Sequence, residues 1–303
     1  MSVSVAYVTL IIVWSTTPLG IAWSNESLSP VSALCTRMCI AAMLGFLVAK
    51  ILKIPVAWSS AAFKTYAFSS IGIFGGLTLT YIAAQYVPSG LISVVFALSP
   101  LLTNLLTAGI VGKSDFTARK WLGFTLSFFG LGIICIDDWV INEGGWIGLG
   151  LLLLAVTLYS LSGVLVQKEK LSAHPLGKTV GTLLFSTPLF LTAWFFLDGN
   201  IPVFDPYTAS PWAVLYLAIF GSLIGFACYF SIVHAIGATA VTMVTLITPI
   251  LALVLGNIFN NESLTTQMIV GTIVVIYGLL VYYQKASGFT INMFRYRGHS
   301  EKR

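Results

Sequence analysis

Charge is what this sequence lacks most. Asp, Glu, Lys and Arg together make up 8% of 303 residues, whereas 57% are hydrophobic. A soluble domain carries about 25% charged residues, and a soluble fold of this length could not cover its surface with so few. No Asp, Glu, Lys or Arg occurs from Thr65 to Gly112, or from Pro206 to Asn261. Each run is long enough for two membrane spans of about 20 residues. Each also has a turn signal near its middle, Val87-Pro88-Ser89-Gly90 and His234-Ala235-Ile236-Gly237. Neither run alternates apolar and polar residues, which excludes the strands of a membrane barrel.

Other scarcities narrow the chemistry. The four cysteines, Cys35, Cys39, Cys135 and Cys228, lie in apolar segments, with no His or carboxylate beside them to complete a metal site. They read as small buried hydrophobes, with no disulfide framework. No cofactor is expected. The first eight residues hold no Lys or Arg, so a retained first span is expected over a signal peptide. There is no His-Glu-x-x-His pair, no Gly-x-Ser-x-Gly elbow and no paired intramembrane carboxylate, which argues against a membrane enzyme. Gly177-Lys178-Thr179 resembles the end of a phosphate loop, but Ser172 stands where that loop needs glycine. No Asp or Glu lies deep in a span, so proton antiport through a buried acid is unsupported.

What is present is an all-α integral membrane pattern. Ten transmembrane helices are expected at 4–23, 31–52, 63–86, 89–111, 120–136, 146–166, 176–197, 212–234, 238–259 and 266–284. Alternate loops then segregate by charge. One set holds Lys50, Lys53, Lys64, Lys113, Arg119, Lys120, Lys168, Lys170 and Lys178, and the tail adds Lys285, Arg295, Arg297, Lys302 and Arg303. The opposite set holds Glu26, Asp137, Asp138, Glu143, Asp198, Asp205 and Glu262, with no Lys or Arg. By the positive-inside rule both termini are cytoplasmic. The net charge of +5 is explained by these loops and tail without nucleic acid.

The chain also repeats. Residues 87–100 match 236–249, placing Ser93 on Thr242, Ser99 on Thr248 and Pro100 on Pro249 at an offset of 149. Gly123 and Gly130 match Gly271 and Gly278 at 148, and Ile73-Phe74-Gly75 matches Ile219-Phe220-Gly221 at 146. Five spans per half is an odd number, so the halves must be inverted. Inverted repeats are the architecture of many secondary transporters, with the solute site near the midplane. The expected units are 1–138, 139–284 and a basic cytoplasmic tail, 285–303.

These features resemble the drug/metabolite transporter superfamily, and its EamA-like family in particular. They are Trp14-Ser15 with Pro18, Arg37, Ala84 to Gly90 leading to Ser99-Pro100-Leu101, Gly237-Ala238-Thr239-Ala240, Thr248-Pro249-Ile250, Asn261-Glu262-Ser263-Leu264, and Gly271 with Gly278. The similarity covers roughly 5–284. One departure is Lys113, where the family often has Glu; Glu262 keeps it in the second half. The resemblance implies ten helices around a central cavity, with helices 5 and 10 peripheral, in the inner membrane of a bacterium. It also implies export of amino acids or similar small metabolites. A drug permease or channel-like facilitator is the alternative.

Candidate cavity residues follow from polar side chains at helical spacing. Helix 1 offers Trp14, Ser15 and Thr17; helix 3 offers Thr78, Tyr81 and Gln85; helix 4 offers Ser93 and Asn104. Helix 6 offers Tyr159 and Ser160, helix 8 Tyr229, and helix 9 Thr242 and Thr245. Aromatic rings with polar tips suit a neutral or zwitterionic organic solute. Ser93 and Thr242 equally suit close helix packing. Arg37, the one charge placed well inside a span, pairs with a solute carboxylate, snorkels, or braces a gate. Pro18, Pro100 and Pro249 are expected helix bends. The partners are thus a small-molecule solute and the lipid bilayer; whether the chain forms a homodimer is left open.

Overall fold

The computed structural model describes residues 2–112, 117–136, 144–169, 171, 173–236, 241 and 244–283. Lys113, Asp137, Asp138, Glu143, Lys170, residues 237–240, Thr242 and the tail at 285–303 lie outside the described residues, as does the expected junction between halves.

Among the described residues there are helices and no strands. The helices are α1 (Val3–Ser24), α2 (Pro30–Ile51), α3 (Ser60–Ala83), α4 (Ser89–Val111), α5 (Ala118–Ile134), α6 (Gly145–Lys168), α7 (Pro175–Leu197), α8 (Ser210–Ala235), α9 (Thr248–Asn260) and α10 (Thr266–Tyr283). Eight of them are long and apolar enough to cross a membrane. The exceptions are α5, with 17 residues, and α9, a shorter apolar helix of 13. Hydroxyls start several of the helices. Ser29 caps α2 by accepting from the Ser32 amide at 3.1 Å, and Ser59 caps α3 by accepting from Ala62 at 3.3 Å.

Two helices contain wide turns. Ile71–Gly76 in α3 and Leu217–Ile224 in α8 are π-helical. Such turns are rare and concentrate at functional sites. Two other elements are interrupted before a proline. In α4 the backbone turns at Ala97 and Leu98, and a second segment, Ser99–Val111, begins with Pro100 in its first turn. A 3₁₀ turn, Val244–Leu246, precedes α9, which carries Pro249 in its first turn. Each proline withholds the N–H that a helix would offer to the residue four earlier, Phe96 or Thr245. Both segments end in the left-handed region, at Gly112 (φ 71°) and Asn261 (φ 51°).

Packing divides into two zones. Helices α5 and α10 meet backbone to backbone. A Cβ at Gly123 would fall 2.6 Å from the Gly278 carbonyl oxygen, and one at Gly130 would fall 2.7 Å from that of Gly271. Between them the Ser127 hydroxyl donates to the Val275 carbonyl at 3.2 Å. Helices α1 to α4, α6 and α8, with the start of α9, surround a gap. Outward faces carry large exposed apolar side chains such as Phe129, Phe196 and Ile273, as a lipid-facing surface requires. Trp58, Trp121, Trp146 and Trp212 are exposed near helix ends, where interfacial anchors belong.

Candidate functional site

The gap is a cavity of about 150 Å³. Its wall takes Trp14, Thr17, Pro18 and Ile21 from α1, Arg37 from α2, and Leu77 and Thr80 from α3. From α4 come Ile92, Ser93, Phe96, Ser99 and Thr103, and from α6 Tyr159, Ser160 and Gly163. Gly221, Phe226 and Tyr229 of α8, then Val241, Thr245 and Thr248, complete it. The proline-associated breaks of α4 and of the segment before α9 therefore both face this space.

The wall is mostly aromatic and hydroxyl-bearing. Trp14 and Tyr229 stack with ring centres 6.3 Å apart, and Phe96 meets Tyr159 edge to face at 5.3 Å. Ser160 donates across to the Ser99 carbonyl at 3.2 Å, tying α6 to the break in α4. Thr17 and Thr80 bond the carbonyls one turn back in their own helices, Val13 and Gly76.

Arg37 sets the electrostatics. It is 1% exposed. Its Nε donates to Ser222 Oγ at 2.9 Å and its Nη1 to the Tyr81 hydroxyl at 3.2 Å, and the guanidinium stands 5.9 Å from the Tyr81 ring centre. Both partners are neutral. Ser222 lies inside the π-helical stretch of α8, so the wide turn delivers the hydroxyl that holds the cation.

At the end of the bundle where the acidic loops lie, carboxylates tie helices together. Glu262 accepts from the backbone amides of Ser89 and Gly90 at 2.9 and 3.2 Å, capping α4 from the α9–α10 loop. Asn260 donates to Glu262 at 2.8 Å and accepts from Trp23 Nε1 at 3.2 Å, linking α1 to the same cap. Asp198, after α7, accepts from the Ser29 and Ser32 hydroxyls at the start of α2. These bonds, with one from Asn200, hold its carboxyl below the usual carboxylate range.

The sequence-based candidates separate cleanly. Trp14, Thr17, Pro18, Arg37, Ser93, Tyr159, Ser160, Tyr229 and Thr245 line the cavity. Ser15, Thr78, Tyr81, Gln85 and Asn104 stand off its wall. Ser15 and Thr78 turn back onto the Ile11 and Phe74 carbonyls. The Asn104 amide donates to Pro100 O at 3.0 Å. Tyr81 is buried behind Arg37 as its support, and Gln85 is exposed beyond the end of α3. Thr242 is outside the described residues. Pro100 follows a turn at Ala97 and Leu98 inside α4, and Pro249 stands in the first turn of α9 after a 3₁₀ turn. Sequence reasoning missed Thr80, Phe96, Ser99, Thr103, Phe226 and the side-chain-free positions Gly163 and Gly221. For Ser99 and Thr248 a signal existed, since each immediately precedes a matched proline.

The EamA-like transporter family model matches residues 2–136 and 146–284. The chain is 24% identical over 287 residues to Protein PagO of Salmonella typhimurium, covering 93% of this chain and 92% of that protein. It is 25% identical to an uncharacterized transporter of Archaeoglobus fulgidus, covering 90% and 95%. It is 24% identical to the uncharacterized transporter YvbV of Bacillus subtilis, covering 84% and 85%. A solved crystal structure superposes with a TM-score of 0.66 at 17% identity, covering 93% of this chain and 98% of that one, a likeness of fold.

Proposed function

The chain belongs to the EamA-like transporter family and is a multi-pass membrane transporter, and from that premise we propose that it carries small organic metabolites by alternating access through the cavity. Amino acids and solutes of that size are the cargo, moved outward. The chain crosses the inner membrane ten times as two inverted five-helix halves, with both termini cytoplasmic.

The observation that carries this reading is the composition of the cavity wall. It draws on α1 to α4 from one half and on α6, α8 and the α9 region from the other. A solute site at the interface of two related halves can be closed from either side by equivalent parts.

Several features support the inverted halves. The family model matches twice, once in each half. The π segments begin at Ile71 and Leu217, at the same offset of 146 read from the sequence. The segments Ser99–Val111 and Thr248–Asn260 are both 13 residues long, start with the matched prolines and end at matched left-handed residues. The glycine contacts are reciprocal. The match takes Gly123 to Gly271 and Gly130 to Gly278, so the pair Gly123–Gly278 becomes the pair Gly271–Gly130, which is the other contact observed. A two-fold operation relating the halves produces that exchange.

Counterflow in proteoliposomes tests the function. The protein is reconstituted with one unlabelled amino acid inside, and entry of labelled solute is followed across a panel of aromatic, aliphatic, hydroxyl and charged side chains. Saturable, self-inhibited exchange is the expected result. Conductance that rises linearly with concentration would replace the carrier with a channel.

A further inference from the structure

Arg37 offers more than the transport reading uses. We propose that its guanidinium is the anion subsite of the cavity, and that the preferred solute is an organic monocarboxylate with an apolar body, ahead of a zwitterion. This deepens the transport reading and rests on it.

Among the described residues, Arg37 is the only charged side chain that is fully buried. A buried cation without a counter-charge is costly, and in membrane proteins such groups pair or mark a pathway. Among the described residues, Arg37 does not pair with a carboxylate. A guanidinium has five N–H donors, and two find partners, in Ser222 and Tyr81. Nη2 has no partner among the described residues, and a carboxylate can take one of its hydrogens together with the second Nη1 hydrogen, through two parallel bonds from the two nitrogens. That edge has room. Nη2 lies beside Gly221, where a Cβ would come within 2.9 Å, and both residues line the cavity.

The rest of the wall selects the charge of the solute. Among the described residues, no Asp or Glu lines the cavity. An α-ammonium would share the space with Arg37 and meet no opposite charge. A carboxylate without an ammonium leaves the loaded cavity neutral. The stacked Trp14 and Tyr229 and the paired Phe96 and Tyr159 give an apolar body a surface to lie on. The simpler role, in which Arg37 only braces α2 against α3 and α8, predicts no dependence on solute charge.

The experiment compares phenylacetate, its uncharged isostere phenylacetamide, and phenylalanine, using full-length protein in thermal-stabilisation and counterflow assays. Phenylacetate should stabilise the wild-type protein and half-saturate exchange at a concentration at least tenfold lower than either other probe. In Arg37→Gln the preference for acid over amide should fall to about one, while Arg37→Lys keeps part of it. Gly221→Ala, which sets a Cβ 2.9 Å from Arg37 Nη2 and 3.3 Å from Leu217, should weaken phenylacetate about tenfold more than phenylacetamide, so the test does not hang on Arg37→Gln folding. Equal affinity for acid and amide in wild type, or a preference for phenylalanine, overturns the anion subsite while leaving the transporter intact. Saturable exchange of none of these probes, nor of any amino acid in the panel above, overturns both.

Discussion

The α5–α10 pair and the helices around the cavity are built from similar apolar residues but meet in opposite ways. In the pair, glycines bring backbones together until a single Cβ has no room. Of the two glycines that line the cavity, Gly221 lies against the Arg37 and Leu217 side chains, whereas Gly163 faces space, since a Cβ there would find only the Tyr229 hydroxyl, at 3.4 Å. In lipid no hydrophobic force drives helices together, so close backbone contact supplies cohesion. A carrier needs that cohesion away from the parts that move. The pair is read as a strut, and the cavity helices as the working element.

One substitution made at two glycines would break this contrast most visibly. Gly130→Leu must push α5 and α10 apart, with an expected loss of about 1–3 kcal/mol, seen as a lower melting temperature in detergent. Counterflow per folded molecule should stay near wild type. Gly163→Leu should do the reverse: its side chain enters the cavity, exchange falls at least tenfold, and stability changes by no more than about 1 kcal/mol, helped by better helix propensity. Matching phenotypes at the two sites would dissolve the distinction between strut and working element.

Smaller effects sharpen it at the acidic-loop end. Glu262→Gln removes a charge that caps α4, so a loss of about 0.5–2 kcal/mol is expected, measurable by thermal melting. The least effect belongs to Asp198. Its folded carboxyl titrates below the unfolded range, so its stabilisation is present above the unfolded pKa and is lost as pH falls through the folded one. Melting temperatures measured from pH 5 to pH 3 should fall less steeply in Asp198→Asn than in wild type.

Much of the architecture was legible because lipid leaves few options. A backbone in hydrocarbon must satisfy itself, so apolar runs become helices whose ends fall at caps and prolines. The expected 89–111 and the observed Ser89–Val111 agree for that reason. Helix α3 was expected at 63–86 but runs Ser60–Ala83: Ser59 caps it three residues early, and Tyr86 closes a turn onto Ala83 before Pro88. Site residues were harder. Arg37, Trp14 and Tyr159 could be picked because large polar groups in a span turn inward. Small hydroxyls such as Ser15 and Thr78 satisfy themselves on their own helix, so polarity says nothing about their direction. Gly163 and Gly221 serve through what they lack, and no side-chain pattern announces a space.

Arg37 also has a history within each molecule. Its hydroxyl partner Ser222 is 185 residues further along the chain. At ribosomal speeds of 5–20 residues per second, that separation is roughly 10–40 s of synthesis. Through that interval α2 holds an arginine whose insertion alone costs about 2.5–3.5 kcal/mol near a helix centre. Helices α1 to α5 must therefore enter the membrane with that cation supported, among the described residues, by Tyr81 alone. Newly made chains cut short before α8 would carry an under-supported charge, a mark by which membrane quality control could tell an unfinished carrier from a complete one.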